Sequence, residues 1–483
     1  MTQNKANYFF IFLIILVVSL FTRSLFFEQI PYNNGAGFDG FFYREVARDF
    51  HSVFNNEGYD SFRIQRIFPF FILNYAFSFL SIETNDQNLL YGITFLHYIN
   101  LFIQFFFFFK IARLLKWNFS TKFLLFSCLF FNYYTLKNCT YEPFQTDAFA
   151  ISLSIISYYF LLCKKHFLTL LFSLISFITV PLIAYLNLIL LLFPHPLNND
   201  AKKNQLPFSI IFPATYSGII SALFLFVILF KDISIIQNML MSDTNFLFFI
   251  LNGILTAFFI YLLFKKIPKE TFPAYTNFFN GLSIKRLLLL LTPFLLLKLF
   301  LYTHTNPDFF YNNSSFFIQI VLRPLKYPLI FIVNHITFWG ILPLLVILLF
   351  PSFSKNFIKK SLGHSLVFLL FILFSLDSES RHIESFFPFV LMALGYALNP
   401  IHFSKKALFT LVSLQLLLSH FYYPINTPHL LEALNQGDFF TFPAQRYFMN
   451  FGPWLNSLTY SFWALVSIVS FVLVRWILKK QSK

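Results

Sequence analysis

The chain is predicted to be an all-α polytopic membrane bundle of about 12–14 crossings, and three observations predict it. Apolar runs the length of a membrane span recur from one end of the 483 residues to the other. Lysine and arginine collect in the short loops between those runs, the pattern that marks the cytoplasmic side of a membrane protein. No polar stretch is long enough to fold as a separate soluble domain, so residues 1–483 read as one integral membrane domain.

Composition narrows function before any motif does. The chain is 57% hydrophobic and 11% charged, with mean hydropathy +0.67, so its helices pack in lipid rather than around one aqueous core. A net charge of +15 invites a nucleic-acid partner. The basic residues, however, fall one short loop at a time: Lys110/Arg113/Lys116, Lys164/Lys165, Lys202/Lys203, Lys265/Lys266, Lys359/Lys360, Lys405/Lys406 and Lys479/Lys480. That spacing sets orientation and recruits no nucleic acid. Cys128, Cys139 and Cys163 have no motif spacing, so neither a metal site nor a disulfide framework follows. The 77 phenylalanines, including Phe105 to Phe109, read as bias toward one apolar residue rather than as an aromatic cage.

Residues 8–27 are read as a retained anchor, because the run is too long for a signal-peptide core and lacks a small-residue cleavage site. Further apolar spans are drawn at 89–109, 122–136, 144–162, 167–193, 208–230, 245–264, 286–302, 328–350, 362–376, 385–398, 406–422 and 458–477. The stretch 167–193 is long and contains Pro181, so it is expected to be a tight pair of crossings rather than one. Arg66 to Ser81 is short, carries Pro69 and Asn74, and runs into Glu83-Thr84-Asn85-Asp86. It is read as a helix lying at the outer interface. With the basic loops inside, parity puts 28–88, 137–147, 303–327, 377–384 and 423–457 on the extracytoplasmic face.

The first of these loops holds the densest charge in the chain: Asp39, Arg44, Glu45, Arg48 and Asp49 within Gly37 to Asp49. Phe38, Phe41, Phe42, Val46 and Phe50 recur at helical spacing opposite Arg44, Glu45, Arg48 and Asp49, which predicts an amphipathic surface helix. Asp39 stands at its start, where the plainest role for an Asp is to cap the helix. Capping leaves Tyr43 and the second charged segment, Tyr59 to Arg66, unexplained. Glu142 and Asp147 follow in the next outer loop, Asp147 at a helix start where a buried acid is costly without a partner. A third cluster runs from Asp377 to Glu384 and contains Arg381 and His382. Arg381 offers a planar fork of donors suited to a phosphate. His97, Asn100 and Gln104 make one helix stripe, which interhelical hydrogen bonds explain without catalysis. Gln436, Asp438, Arg446 and Trp454 in the last outer loop form no motif and are candidates for acceptor contact.

Phe38-Asp39-Gly40-x-x-Tyr43-x-x-x-Ala47, followed by Arg66-Ile67-Phe68-Pro69 before an interfacial apolar segment, resembles the GT-C superfamily of membrane glycosyltransferases. The likeness is to its mannosyltransferase-like and bacterial arabinose- or mannose-transferring branches, and is strongest over about residues 1–165. The resemblance implies an essential acid in the first outer loop, the position of Asp39. It also implies a polyprenyl-phosphate-linked sugar as donor, with a glycan, lipid or protein as acceptor. Asp39 would then act as general base in an inverting displacement, with Tyr43 and Arg44 in support. Arg381, His382, Arg63 and Arg66 would meet the donor phosphate, and Glu142 or Asp147 would orient the acceptor or hold a divalent cation. Mg²⁺ or Mn²⁺ is compatible with carboxylates on two loops and is not demanded by them. The expected location is a bacterial inner membrane, with the site facing outward. Two alternatives carry other signatures. A transporter or flippase of lipid-linked glycans needs ionisable groups within its spans, and a glycan ligase or polymerase would rest on outer-loop arginines rather than on an early acid.

Overall fold

The computed structural model describes residues 3–27, 29–57, 59–194, 208–230, 246–268, 283–306, 320–423, 427–436 and 452–481. Every regular element among the described residues is helical. Among the described residues, four helices are long and apolar enough to cross a membrane: Ala6–Arg23, Asp86–Leu114, Leu247–Lys265 and Ser457–Gln481. This is what an integral membrane protein requires. Around them stand shorter apolar helices, among them Phe119–Phe130, His166–Phe177, Pro181–Leu192, Ile330–Trp339 and Leu362–Phe374.

Several spans drawn on the sequence end early, each for a local reason. The span 122–136 stops as a helix at Phe130, because the Asn132 amide takes the Cys128 and Leu129 carbonyls at 2.9 and 2.8 Å. The same side chain accepts from Thr135 N at 2.8 Å and opens a wide turn over Tyr134–Asn138. The span 328–350 breaks at Gly340, where φ is 70°. Gln415 fills that break, bonding Phe131 O and Trp339 O and accepting from Ile341 N. A Cβ on residue 340 would overlap this side chain. The stretch 167–193 divides into two helices of 12 residues each, His166–Phe177 and Pro181–Leu192, with Pro181 at the second helix's first turn.

The loops fall into two sets that meet at opposite ends. At one end, Ile30 N donates to Tyr141 O (2.9 Å), Phe68 N to Ile178 O (3.1 Å), Tyr59 N to His304 O (3.2 Å) and Gly452 N to Ser378 O (3.1 Å). At the other, Asn118 is doubly bonded to Asn399 at 2.7 Å and Ser404 N meets Gln481 Oε1 at 2.6 Å. Lys116, Lys405 and Lys480 belong to this second end. Each of these bonds joins two segments that parity puts on one face.

Phe68–Leu80 is 13 residues long, roughly 20 Å, which is short of a bilayer's hydrocarbon thickness. It packs on Asp39–Arg48. Tyr43 stacks on Phe70 with ring centroids 4.9 Å apart, and Asn74 Nδ2 bonds the Ala47 and Arg48 carbonyls, each at 3.1 Å. That packing overrides the face expected from the sequence. Phe38 and Phe41 are exposed, whereas Arg44 is buried with its guanidinium on Asn33 O (2.9 Å) and beside Asp86 (3.3 Å).

The phenylalanine run divides between core and periphery. Phe105 and Phe108 are buried among Phe126 and Phe130, while Phe106 is exposed. These rings fill space rather than line a cage. The polar stripe below them bonds between helices: His97 Nε2 to Pro143 O at 2.7 Å, Gln104 Nε2 to Ser152 Oγ at 3.1 Å, and Ser152 Oγ to Asn100 O at 3.2 Å.

Candidate functional site

Asp39 opens the helix Asp39–Arg48, but it does not cap it. The cap position is Phe38, which makes no side-chain cap bond. The Asp39 carboxylate instead accepts from Arg63 Nη2 at 2.7 Å. Gly40 permits this placement: a Cβ there would lie 3.0 Å from Phe144 Cβ, so the helix start rests directly on the segment carrying Glu142 and Gln145.

Arg63 is aimed by Asp60. That buried carboxylate accepts from the Phe62 and Arg63 backbone N–H groups at 2.9 and 2.7 Å and pairs with the Arg63 side chain at 3.1 Å. The tight turn Arg63–Arg66 that follows delivers Arg66 to Thr146 Oγ1 (3.3 Å) and to Asp147 (3.6 Å).

Asp147 is shared. Arg381 Nη1 meets its second oxygen at 3.1 Å, reaches Gln145 Oε1 at 3.2 Å, and pairs through its other nitrogens with Glu379. Glu379 in turn faces Arg323 at 2.8 Å, and Arg323 also holds Asp377 at 2.7 Å. Asp377 closes the series on His382 Nδ1 at 2.6 Å. Cation and anion alternate from Arg66 through Asp147, Arg381, Glu379 and Arg323 to Asp377, which ends on the His382 ring. Taking these charges from water is costly, and only such close pairing repays it.

The electrostatics follow from burial and pairing. Burial would raise the Asp377 carboxyl, yet Arg323 and His382 hold it well below the usual carboxylate range. Arg381 and Arg323 do the same for Glu379. The Arg381 guanidinium is held above its ordinary value by Glu379 and Asp147 against the pull of burial. Two acids go the other way. Burial pushes Glu142 up to about 7, with Arg381 opposing and Asp147, Asp39 and Glu379 adding to the rise. Burial, then Asp147, pushes Glu384 well above its ordinary value.

No family model, no curated protein and no solved structure matches the chain.

Of the residues singled out from sequence, the structure brings Asp39, Tyr43, Glu142, Asp147, Arg63, Arg66 and Arg381 within electrostatic reach of one another. His382 joins through Asp377. Arg44 stands apart: its partners are Glu45, Asp86 and the 33–34 backbone, so it straps the first outer loop to the start of the Asp86–Leu114 helix. Of the last-loop candidates, Asp438 and Arg446 lie outside the described residues, as do Lys202 and Lys203. Gln436 is exposed and bonds Glu432 at 3.4 Å.

Sequence reasoning missed Arg323. Its signal was faint, one arginine before Pro324 in an apolar stretch. The carboxylates proposed for a cation, Glu142 and Asp147, face Gln145, Arg66 and Arg381 instead. Among the described residues, no three His, Cys, Asp or Glu side chains converge as a metal site. This donor set does not fit a divalent cation.

Proposed function

We propose that the chain is a glycosyltransferase of the extracytoplasmic membrane face, moving a sugar from a polyprenyl-phosphate donor to an acceptor hydroxyl. In this reading it crosses a bacterial inner membrane about 12–14 times, some crossings being built of short or broken helices. One observation carries the proposal: an acid at the start of a loop helix, Asp39, stands beside a field of arginines at a single end of the bundle. The acid suits an acceptor hydroxyl, and the guanidiniums suit a phosphate.

The displacement is in line. The acceptor oxygen attacks the anomeric carbon while its proton goes to Asp39, and the anomeric C–O bond breaks with its electron pair leaving on the phosphate. Arg63 pairs with Asp39, so an incoming phosphate competes for that guanidinium and frees the carboxylate. Arg381 and Arg66, already fixed by Asp147, neutralise charge as it develops on the leaving group without reorganising. Transport of a lipid-linked glycan needs ionisable groups along a path at mid-depth. The ion pairs between described residues gather instead in the loops of one end.

The test is Asp39→Asn, purified, reconstituted and supplied with a polyprenyl-phosphate sugar. Transfer is expected to fall by about 10²–10⁴-fold. Full activity in that variant removes the proposed base.

A further inference from the structure

Glu142 lies in the same site, and its geometry assigns it more than an orienting role. A guanidinium has only donors, so the Gln145 amide must turn its oxygen to Arg381, as it does at 3.2 Å. Its Nε2 is thereby committed to donate to Glu142 Oε2. Oε2 must accept, so any proton on Glu142 sits on Oε1. That oxygen accepts no hydrogen bond from the described residues and is not among the enclosed atoms left without a partner.

The surroundings favour a group that changes charge. No guanidinium of the described residues contacts Glu142 directly, and its side chain is buried. Three segments pack around it. Residues 37–40 bring Asp39, with the Cβ position of Gly37 3.9 Å from Glu142 Cγ. Residues 145–147 bring Gln145 and Asp147. The 377–384 loop brings Glu379 and Arg381, so three carboxylates and one guanidinium act on it. Burial and these carboxylates place its titration near neutrality.

We infer that Glu142 is a second proton-carrying group of the site, taking over through Oε1 the proton that Asp39 removes from the acceptor. The inference rests on the sugar-transfer reading and adds the proton's destination. The acceptor O–H bond breaks as the new glycosidic bond forms, and the electron pair of the old bond departs on the phosphate. Asp39 holds the proton only in passing, because its ion pair with Arg63 re-forms when the carboxylate is bare. The proton then resides on Glu142 Oε1, hydrogen-bonded through Oε2 to Gln145, and leaves to solvent before the next turnover.

Two measurements test this. Infrared difference spectra of the reconstituted protein between about pH 6 and pH 8 are expected to show loss of a protonated-carboxyl band that Glu142→Gln abolishes and Asp39→Asn retains. Superimposable spectra from the wild type and Glu142→Gln overturn the inference, whatever the protein's activity. In transfer assays, Glu142→Gln is expected to lower the rate about a hundredfold and to flatten its rise with pH through neutrality. A wild-type rate with a wild-type pH profile also overturns it. If no sugar is transferred by any form while the infrared difference holds, the transferase reading fails and the proton-carrying role of Glu142 stands.

Discussion

Arg381 Nη1 holds Asp147 Oδ2 at 3.1 Å, joining two residues 234 positions apart and fixing the 377–384 loop against the start of the Ala150–Leu162 helix region. The same fork reaches Gln145 and Glu379. A lysine supplies the charge but cannot span three partners. Arg381→Lys is therefore expected to lower transfer by about 10²–10³-fold while the protein still folds. Steady-state assays in proteoliposomes check this, and a wild-type rate removes Arg381 from the site.

Arg323 lies beneath that pair, nearly enclosed, with Asp377 and Glu379 both on it. Arg323→Met leaves two buried carboxylates without their shared cation, an expected loss of about 3–5 kcal/mol. Thermal unfolding in detergent measures it. Adding Asp377→Asn and Glu379→Gln to the same chain should restore part of the loss. An unchanged melting temperature in the single variant means the network contributes little to stability.

The acids of the site act on stability in opposite directions. Asp377 and Glu379 are held below their ordinary values, so their contribution is present above the ordinary carboxyl range and lost as pH falls through it. Glu142 is raised from 4.5 to about 7, so the folded state binds its proton more tightly than the unfolded chain does. Its contribution is full below 4.5 and is lost as pH rises to about 7. Melting curves across this range should show Glu142→Gln reducing the decline toward neutrality and Glu379→Gln reducing the acid loss. Parallel curves for all three proteins contradict the assignment.

Orientation has a direct readout. Glu83 is exposed at the end that holds the site, and Lys116 is exposed at the basic end. In a chain whose Cys163 is replaced by serine, Glu83→Cys is expected to react with an impermeant thiol reagent from outside intact cells. Lys116→Cys should react only after permeabilisation. Labelling of both from one side is incompatible with the two-ended arrangement in a membrane.

Much of the fold could be read from local chemistry. Pro181 announces the split between His166–Phe177 and Pro181–Leu192, and the lysine loops sort the chain's connections into two ends. The short Phe68–Leu80 helix follows from Pro69 and Asn74. What sequence does not announce is where a helix yields to a side chain distant in the chain. The break at Gly340 depends on Gln415, and the stop after Phe130 on how Asn132 turns.

The candidate site divides in the same way. Asp39, Asp147 and Arg381 stand out because charge is rare in this chain and theirs falls in loops that parity puts at one end. Sequence alone thus determined a helical chain suited to a membrane, the grouping of its loops and the acids worth attention. Tertiary structure alone decided the partners: Asp39 with Arg63 rather than with its own helix, Arg44 with Asp86 rather than with the site, and Arg323 beneath Glu379. The reason is physical. Hydropathy and turn chemistry act between near neighbours, whereas buried charges must be neutralised by whatever the packed helices bring within about 3 Å.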